Sequence, residues 1–120
     1  MRLVTFTDGT RERIGALLSD DTIVDLVAAQ AELVPGGRAL GASMLEVLAD
    51  WDDALPTMQA VVDAARDRVA GGGAVASLVD AATVQLLAPV PRPPRIRDYL
   101  TYEQHAAGSG LPPSPAFEQM

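Results

Sequence analysis

The only histidine of this chain, His105, follows Asp98 by seven residues in the segment RIRDYLTYEQHA. An imidazole titrates at about 6.5 when unperturbed and can take a proton from water near neutral pH. A carboxylate can hold a hard divalent cation. On a helix seven residues make two turns, so the two groups would share a face about 10 Å apart. That separation excludes a direct catalytic dyad. It suits a division of roles instead, with Asp98 holding a metal ion at one end of a pocket and His105 acting as base at the other. A solvated surface helix accounts for the same spacing without any chemistry, and spacing taken alone favours it.

Other constellations are weaker. Arg92, Arg95 and Arg97 form a basic cluster able to grip a carboxylate or phosphate in bidentate fashion. A linker tied to an acidic domain by ordinary ion pairs is the preferred account. Asp50, Asp52 and Asp53 point in different directions on a helix and read as a solvated face, not a metal site. Gly71-Gly72-Gly73 has no Lys-Ser/Thr after it and no strand before it, so it is a helix terminator. A triad of Ser109, His105 and Asp98 lacks a nucleophile elbow and is rejected.

The elements that must position this segment are short. Arg2 to Phe6 alternates in polarity and stops at Asp8-Gly9, a hairpin signal, because Gly accepts positive φ. Ile14 to Leu18 reads as the returning strand and Thr22 to Leu26 as a third. Val27 to Leu33 suits one or two helical turns before Pro35-Gly36-Gly37. Ser43-Met44-Leu45-Glu46 is a capping box. It opens a helix whose Leu45, Leu48, Trp51 and Leu55 fall on one face, with Pro56 ending it or starting the next. Met58, Val61, Val62, Ala65 and Val69 mark a second amphipathic helix. Thr83 to Ala88 is one more strand, with Val84 and Leu86 on one face. Pro89-Val90-Pro91-Arg92-Pro93-Pro94 then forms a stiff tract that cannot continue a ladder.

With 120 residues and 48% hydrophobic content, the chain can build one small core, of Ala, Val and Leu because aromatics are only 4%. There is no Cys, which excludes disulfides, thiolate metal sites and Cys nucleophiles. The net charge of −7 argues against nucleic acid and against an anionic membrane surface. Residues 1–88 carry thirteen acids against six Arg, while residues 89–120 carry three of each, so a domain boundary is expected near Pro89. No signal-peptide pattern and no membrane-length apolar run is seen, and a soluble cytoplasmic protein is expected.

The stretch PVPRPPRIRDYLTYEQHA resembles the opening of the catalytic domain of the fumarylacetoacetate hydrolase family. There a strand ending in leucines (here Leu86-Leu87-Ala88-Pro89) leads through a Pro-rich linker to an Ile-x-Asp motif and a Glu-Gln-His motif. These are Ile96-Arg97-Asp98 and Glu103-Gln104-His105 in this chain. MRLVTF, IGALL and VDL resemble the small N-terminal domain of bacterial members. The resemblance implies a metal-dependent enzyme acting on a small-molecule 2-oxo or 1,3-dicarbonyl acid, by C–C hydrolysis, decarboxylation or isomerisation. It makes Asp98 the first ligand of Mg²⁺ or Mn²⁺, His105 the water-activating base, and dimers common. The metal would stabilise the enolate that leaves as the carbon–carbon bond breaks.

Two departures stand beside it. Some members carry a Tyr two residues after the ligand Asp, where this chain has Leu100. The family's other ligands, a Glu-x-Glu pair and a later Asp, have no counterpart after His105, where Glu118 is the last acid.

The expected fold is therefore α+β. A small domain of short antiparallel strands with two amphipathic helices spans 1–88, a Pro/Arg-rich linker 89–97, and the truncated beginning of a mostly-β catalytic domain 98–120. Such a chain would be inactive by itself. The alternative is a non-catalytic interaction module whose C-terminal tail orders on a partner, or completes a site with a complementing chain.

Overall fold

The computed structural model describes residues 1–97 and Gly108; Asp98, Leu100, Glu103, Gln104 and His105 lie outside the described residues. The first strands are β1 (Leu3–Thr7), β2 (Glu12–Leu17) and β3 (Thr22–Asp25), followed by the helices α1 (Leu26–Leu33), α2 (Met44–Ala49) and α3 (Trp51–Ala70). Two short strands, β4 (Leu78–Asp80) and β5 (Gln85–Leu87), flank a single 3₁₀ turn. The five strands form one antiparallel sheet in the order β4-β3-β2-β1-β5. This is the α+β class that the polarity pattern implies.

The β1–β2 hairpin forms at Asp8-Gly9, with Gly9 at φ 92°. Its loop is longer than the two-residue turn that an Asp-Gly pair most simply gives, because Thr7 and Glu12 are the closing pair. Asp8 Oδ1 accepts from the Thr10 amide (3.0 Å) and the Thr10 hydroxyl (2.5 Å), which builds an Asx turn that fills the loop.

Register decides what the sheet buries. Thr5 faces Ile14, Leu3 faces Ala16, and Ala16 faces Val24, so these side chains share the face covered by the helices. Ile14, Ala16 and Val24 join Leu26, Met44, Val47, Met58, Val61, Val62 and Ala65 in one apolar cluster. Ala29, Ala54 and Ala65 are buried there too, and their small size lets helix and sheet backbones approach closely. Phe6 and Ile23 are fully buried on the opposite face, meeting across Gly15.

Several expectations need correction. Leu45, Leu48 and Trp51 do not face the core: they are 41%, 48% and 38% exposed, and Met44 and Val47 point inward instead. Although the backbone breaks at Asp50 (φ −120°, ψ 35°), the buried residues Met44, Val47, Ala54, Met58 and Val61 keep one helical period across it, so the inward row is the one beside the leucines. Pro56 neither ends nor begins a helix but sits inside α3. It forgoes only the bond to the Asp52 carbonyl, one turn back on an exposed face where water can replace it. Val69 is exposed, while Met58, Val61, Val62 and Ala65 are buried as their spacing implies.

The second strand is Glu12–Leu17 and the third stops at Asp25, because Asp25 caps α1 by accepting from the Ala28 amide at 3.2 Å. The last strand is only Gln85–Leu87, with Leu86 54% exposed. The Ser43/Glu46 capping box is formed in full. Among the described residues, no helix is long and apolar enough to cross a membrane.

Candidate functional site

The segment that leads toward Asp98 leaves the sheet at Leu87 and does not hang free. Thr5, paired with Leu87 in the ladder, donates its hydroxyl to the Pro89 carbonyl at 2.6 Å. Val90 packs against the helix-side core. Arg92 then reaches β2, where Nη1 and Nη2 donate to the two oxygens of Glu12 at 2.8 and 2.7 Å. Residues 89–92 thus form a strap that crosses β1 onto β2 on the helix-facing side. Arg92 behaves as the ion-paired linker reading expects. Arg95 and Arg97 are exposed and make no ion pair among the described residues.

A groove of about 390 Å³ lies between this strap and the start of α2. Its walls include Ile14, Met44, Leu45, Val90 and Pro91, with Glu12, Ser43, Glu46 and Arg92 as the polar members. Most of that polarity is already committed. Glu46 accepts from the Ala42 and Ser43 amides, Ser43 Oγ accepts from the Glu46 amide, and Glu12 is held by Arg92. Gly41 permits the box, since a Cβ there would stand 2.4 Å from the Glu46 Cβ. The groove therefore offers an apolar slot with charges pinned at its rim.

Behind β2, Arg13 bridges two carboxylates: Nη2 meets Asp8 at 2.6 Å and Nη1 meets Asp25 at 2.9 Å. Its guanidinium lies 5.0 Å from the Phe6 ring centroid. Elsewhere Glu32 of α1 accepts from the Ala76 and Ser77 amides (3.0 and 2.9 Å) and from the Ser77 hydroxyl (2.7 Å), which docks β4. Asp50 and Asp53 both meet Arg38 and so converge on a single cation, where helical spacing had them pointing apart. Among the described residues, no three His, Cys, Asp or Glu side chains come together to hold a metal.

These contacts predict acid sensitivity. Hydrogen bonds from the Thr10 hydroxyl and amide, with Arg13 nearby, lower Asp8 to about 2. The Arg92 guanidinium lowers Glu12, and the Ser77 hydroxyl followed by the Ala76 amide lowers Glu32. A carboxyl depressed in the folded state contributes stability above its unfolded value, about 4 to 4.5, and loses it as pH falls through the folded value. Urea midpoints measured from pH 6 downward are expected to hold to about pH 4.5 and then decline steadily toward pH 2. Midpoints flat over that range would mean that these contacts add nothing to folding.

The two residues singled out for chemistry, Asp98 and His105, lie outside the described residues. What is described is their approach, and Thr5 and Glu12, which hold it, had no part in the sequence reading. One signal was available: Thr5 is a polar residue at an inward position of an alternating strand. No protein-family model matches the chain, and no curated protein matches it at a significant level.

Proposed function

We propose that this chain is the site-positioning, N-terminal part of a fumarylacetoacetate hydrolase-type enzyme, with Asp98 as a metal ligand and His105 as the base that activates water. The observation that carries the reading is the order of its last motifs. A leucine-rich edge strand, Gln85–Leu87, leads into a Pro-rich strap and from there to Ile96-Arg97-Asp98 and Glu103-Gln104-His105. The anchored strap supports it further, because Thr5 and Glu12 fix the direction in which the motif segment departs. The substrate would be a 2-oxo or 1,3-dicarbonyl acid in the cytoplasm, and the working form a dimer.

The described domain does not fit a metal centre of its own. Asp98 brings one carboxylate of the roughly six oxygens that Mg²⁺ takes, water among them, and on this reading a Glu-x-Glu pair and a later Asp would supply the other protein ligands. Calorimetric titration of the 120-residue chain with Mg²⁺ or Mn²⁺ is expected to show no binding tighter than roughly millimolar, as befits one carboxylate. Tight binding would overturn the half-site reading. Acylpyruvate hydrolysis assayed with a chain that supplies the missing carboxylates tests the base, since activity surviving His105→Ala would remove that role.

A second reading, a non-catalytic interaction module, is favoured by the outward-facing Leu45, Leu48 and Trp51. An exposed Trp beside two Leu is the composition of an interface anchor. On this reading the segment after Pro89 orders on its partner or completes a site there.

A further inference from the structure

Two exposed surfaces of complementary make-up stand on either side of the groove beneath the strap. On one side Ile96 is 83% exposed between Arg95 and Arg97, which make no ion pair among the described residues. On the other, Leu45 and Leu48 are exposed as well. The inward row keeps one helical period through α2 and α3, so Leu45, Leu48 and Asp52, at i, i+3 and i+7, share an outer face. Asp52 is exposed and, unlike Asp50 and Asp53, makes no ion pair among the described residues. The helix face thus offers two leucines followed by a carboxylate, and Ile96-Arg97 offers an apolar side chain followed by a guanidinium.

The two are within reach. Arg92 is fixed to Glu12 at the rim of the groove whose helix-side wall carries Leu45. Pro93 and Pro94 keep the next residues extended, at about 3.1 Å each, so Ile96 can stand about 12 Å from Arg92. That span crosses a groove of about 390 Å³.

We propose that residues 93–97 close over this groove as a lid, with Ile96 seated on Leu45 and Leu48 and Arg97 paired with Asp52. Closing takes three exposed apolar side chains out of water and joins two opposite charges. The tether decides the occupant. Four residues from its anchor, Ile96 is held near the face at an effective concentration on the order of millimolar, which a second copy or a free partner would have to match. The lid does not rest on the enzymatic reading, and it takes the Leu45 and Leu48 surface away from the interaction-module reading.

Trp51 reports the closure. It is the chain's only tryptophan, lies three positions past Leu48 and is 38% exposed with the lid open. In the full chain, Ile96→Ser and Arg97→Glu are each expected to raise the acrylamide quenching constant of Trp51 about twofold, because water regains the face that the lid covered. Acrylamide is neutral, so the charge change does not itself bias the readout. Asp52→Arg should open the lid as Arg97→Glu does, and Asp52→Arg/Arg97→Glu should return quenching to the wild-type value. All three positions are exposed, and unchanged circular dichroism would show that the fold is kept. Quenching unmoved by Ile96→Ser, or left high in the charge-reversed double variant, would overturn the lid. Shielding of Trp51 that grows with wild-type chain concentration would give the face to a second copy and overturn it as well.

Discussion

Replacing Asp25 with Ala is expected to lower folding stability by about 3 kcal/mol, the lower end of the range for breaking one side of a buried ion pair. Asp25 is 3% exposed and does three jobs from one position at the end of β3. One carboxylate oxygen accepts from Arg13 Nη1, the other accepts from the Ala28 amide to cap α1, and its own amide donates to the Ser77 carbonyl of the loop before β4. The substitution leaves the backbone bond and removes the other two. Loss of the cap accounts for about 1 kcal/mol. The remainder comes from Arg13, whose side chain is mostly covered and whose Nε–H is already buried without an acceptor.

Arg13 keeps Asp8, which holds the cost to the lower end of the range. Asn at position 25 retains the cap but not the charge and should fall between wild type and Ala. Urea denaturation at neutral pH measures both. A loss below about 1 kcal/mol for the Ala variant would show the pair to be no stronger than a surface contact.

Asp25 also marks where sequence reasoning stops. The alternating strands, the Asp8-Gly9 reversal, the Ser43/Glu46 box and the buried row Met58, Val61, Val62 and Ala65 are local patterns, and each appears in the structure. The Leu45, Leu48 and Trp51 face misleads because its side chains are larger and more apolar than those of Val47 and Ala54, which with Met44 and Met58 form the row that is buried. β4 is three residues long, too short to show a period, and is placed by Glu32, forty-five residues away from Ser77.

The strap contacts join residues eighty and eighty-four positions apart, and no spacing rule reaches that far. The proposed chemistry rests on a different kind of signal. Asp98 and His105 were singled out by residue type and by resemblance and lie outside the described residues, whereas the surface that holds residues 89–92 can be recognised only once β1, β2 and β5 are laid side by side.

The same sheet predicts a second large effect, on its face away from the helices. Phe6→Ala should cost about 3–5 kcal/mol, as for other fully buried aromatics. Phe6 is fully buried, lies beneath the Arg13 guanidinium, and is the one aromatic side chain in the described core. It can lie flat on β2 only because position 15 is Gly. A Cβ there would stand 3.0 Å from Phe6 Cε1, 2.5 Å from Ile23 Cγ2 and 3.0 Å from the Val24 carbonyl. Gly15→Ala alone should therefore cost about 1–3 kcal/mol through overpacking.

Combined with Phe6→Ala it should cost less, because the vacated ring space lets Ile23 turn away, and the shortfall from additivity is expected at about 0.5–3 kcal/mol. Strict additivity in a double-mutant cycle would mean that Phe6 and Ile23 do not meet over Gly15. Thr5, the neighbour of Phe6 on β1, holds Pro89, so the Phe6→Ala variant should also lose hydrogen-exchange protection in β1 and at Val90. That loss would connect the packing of the back face to the strap on the front.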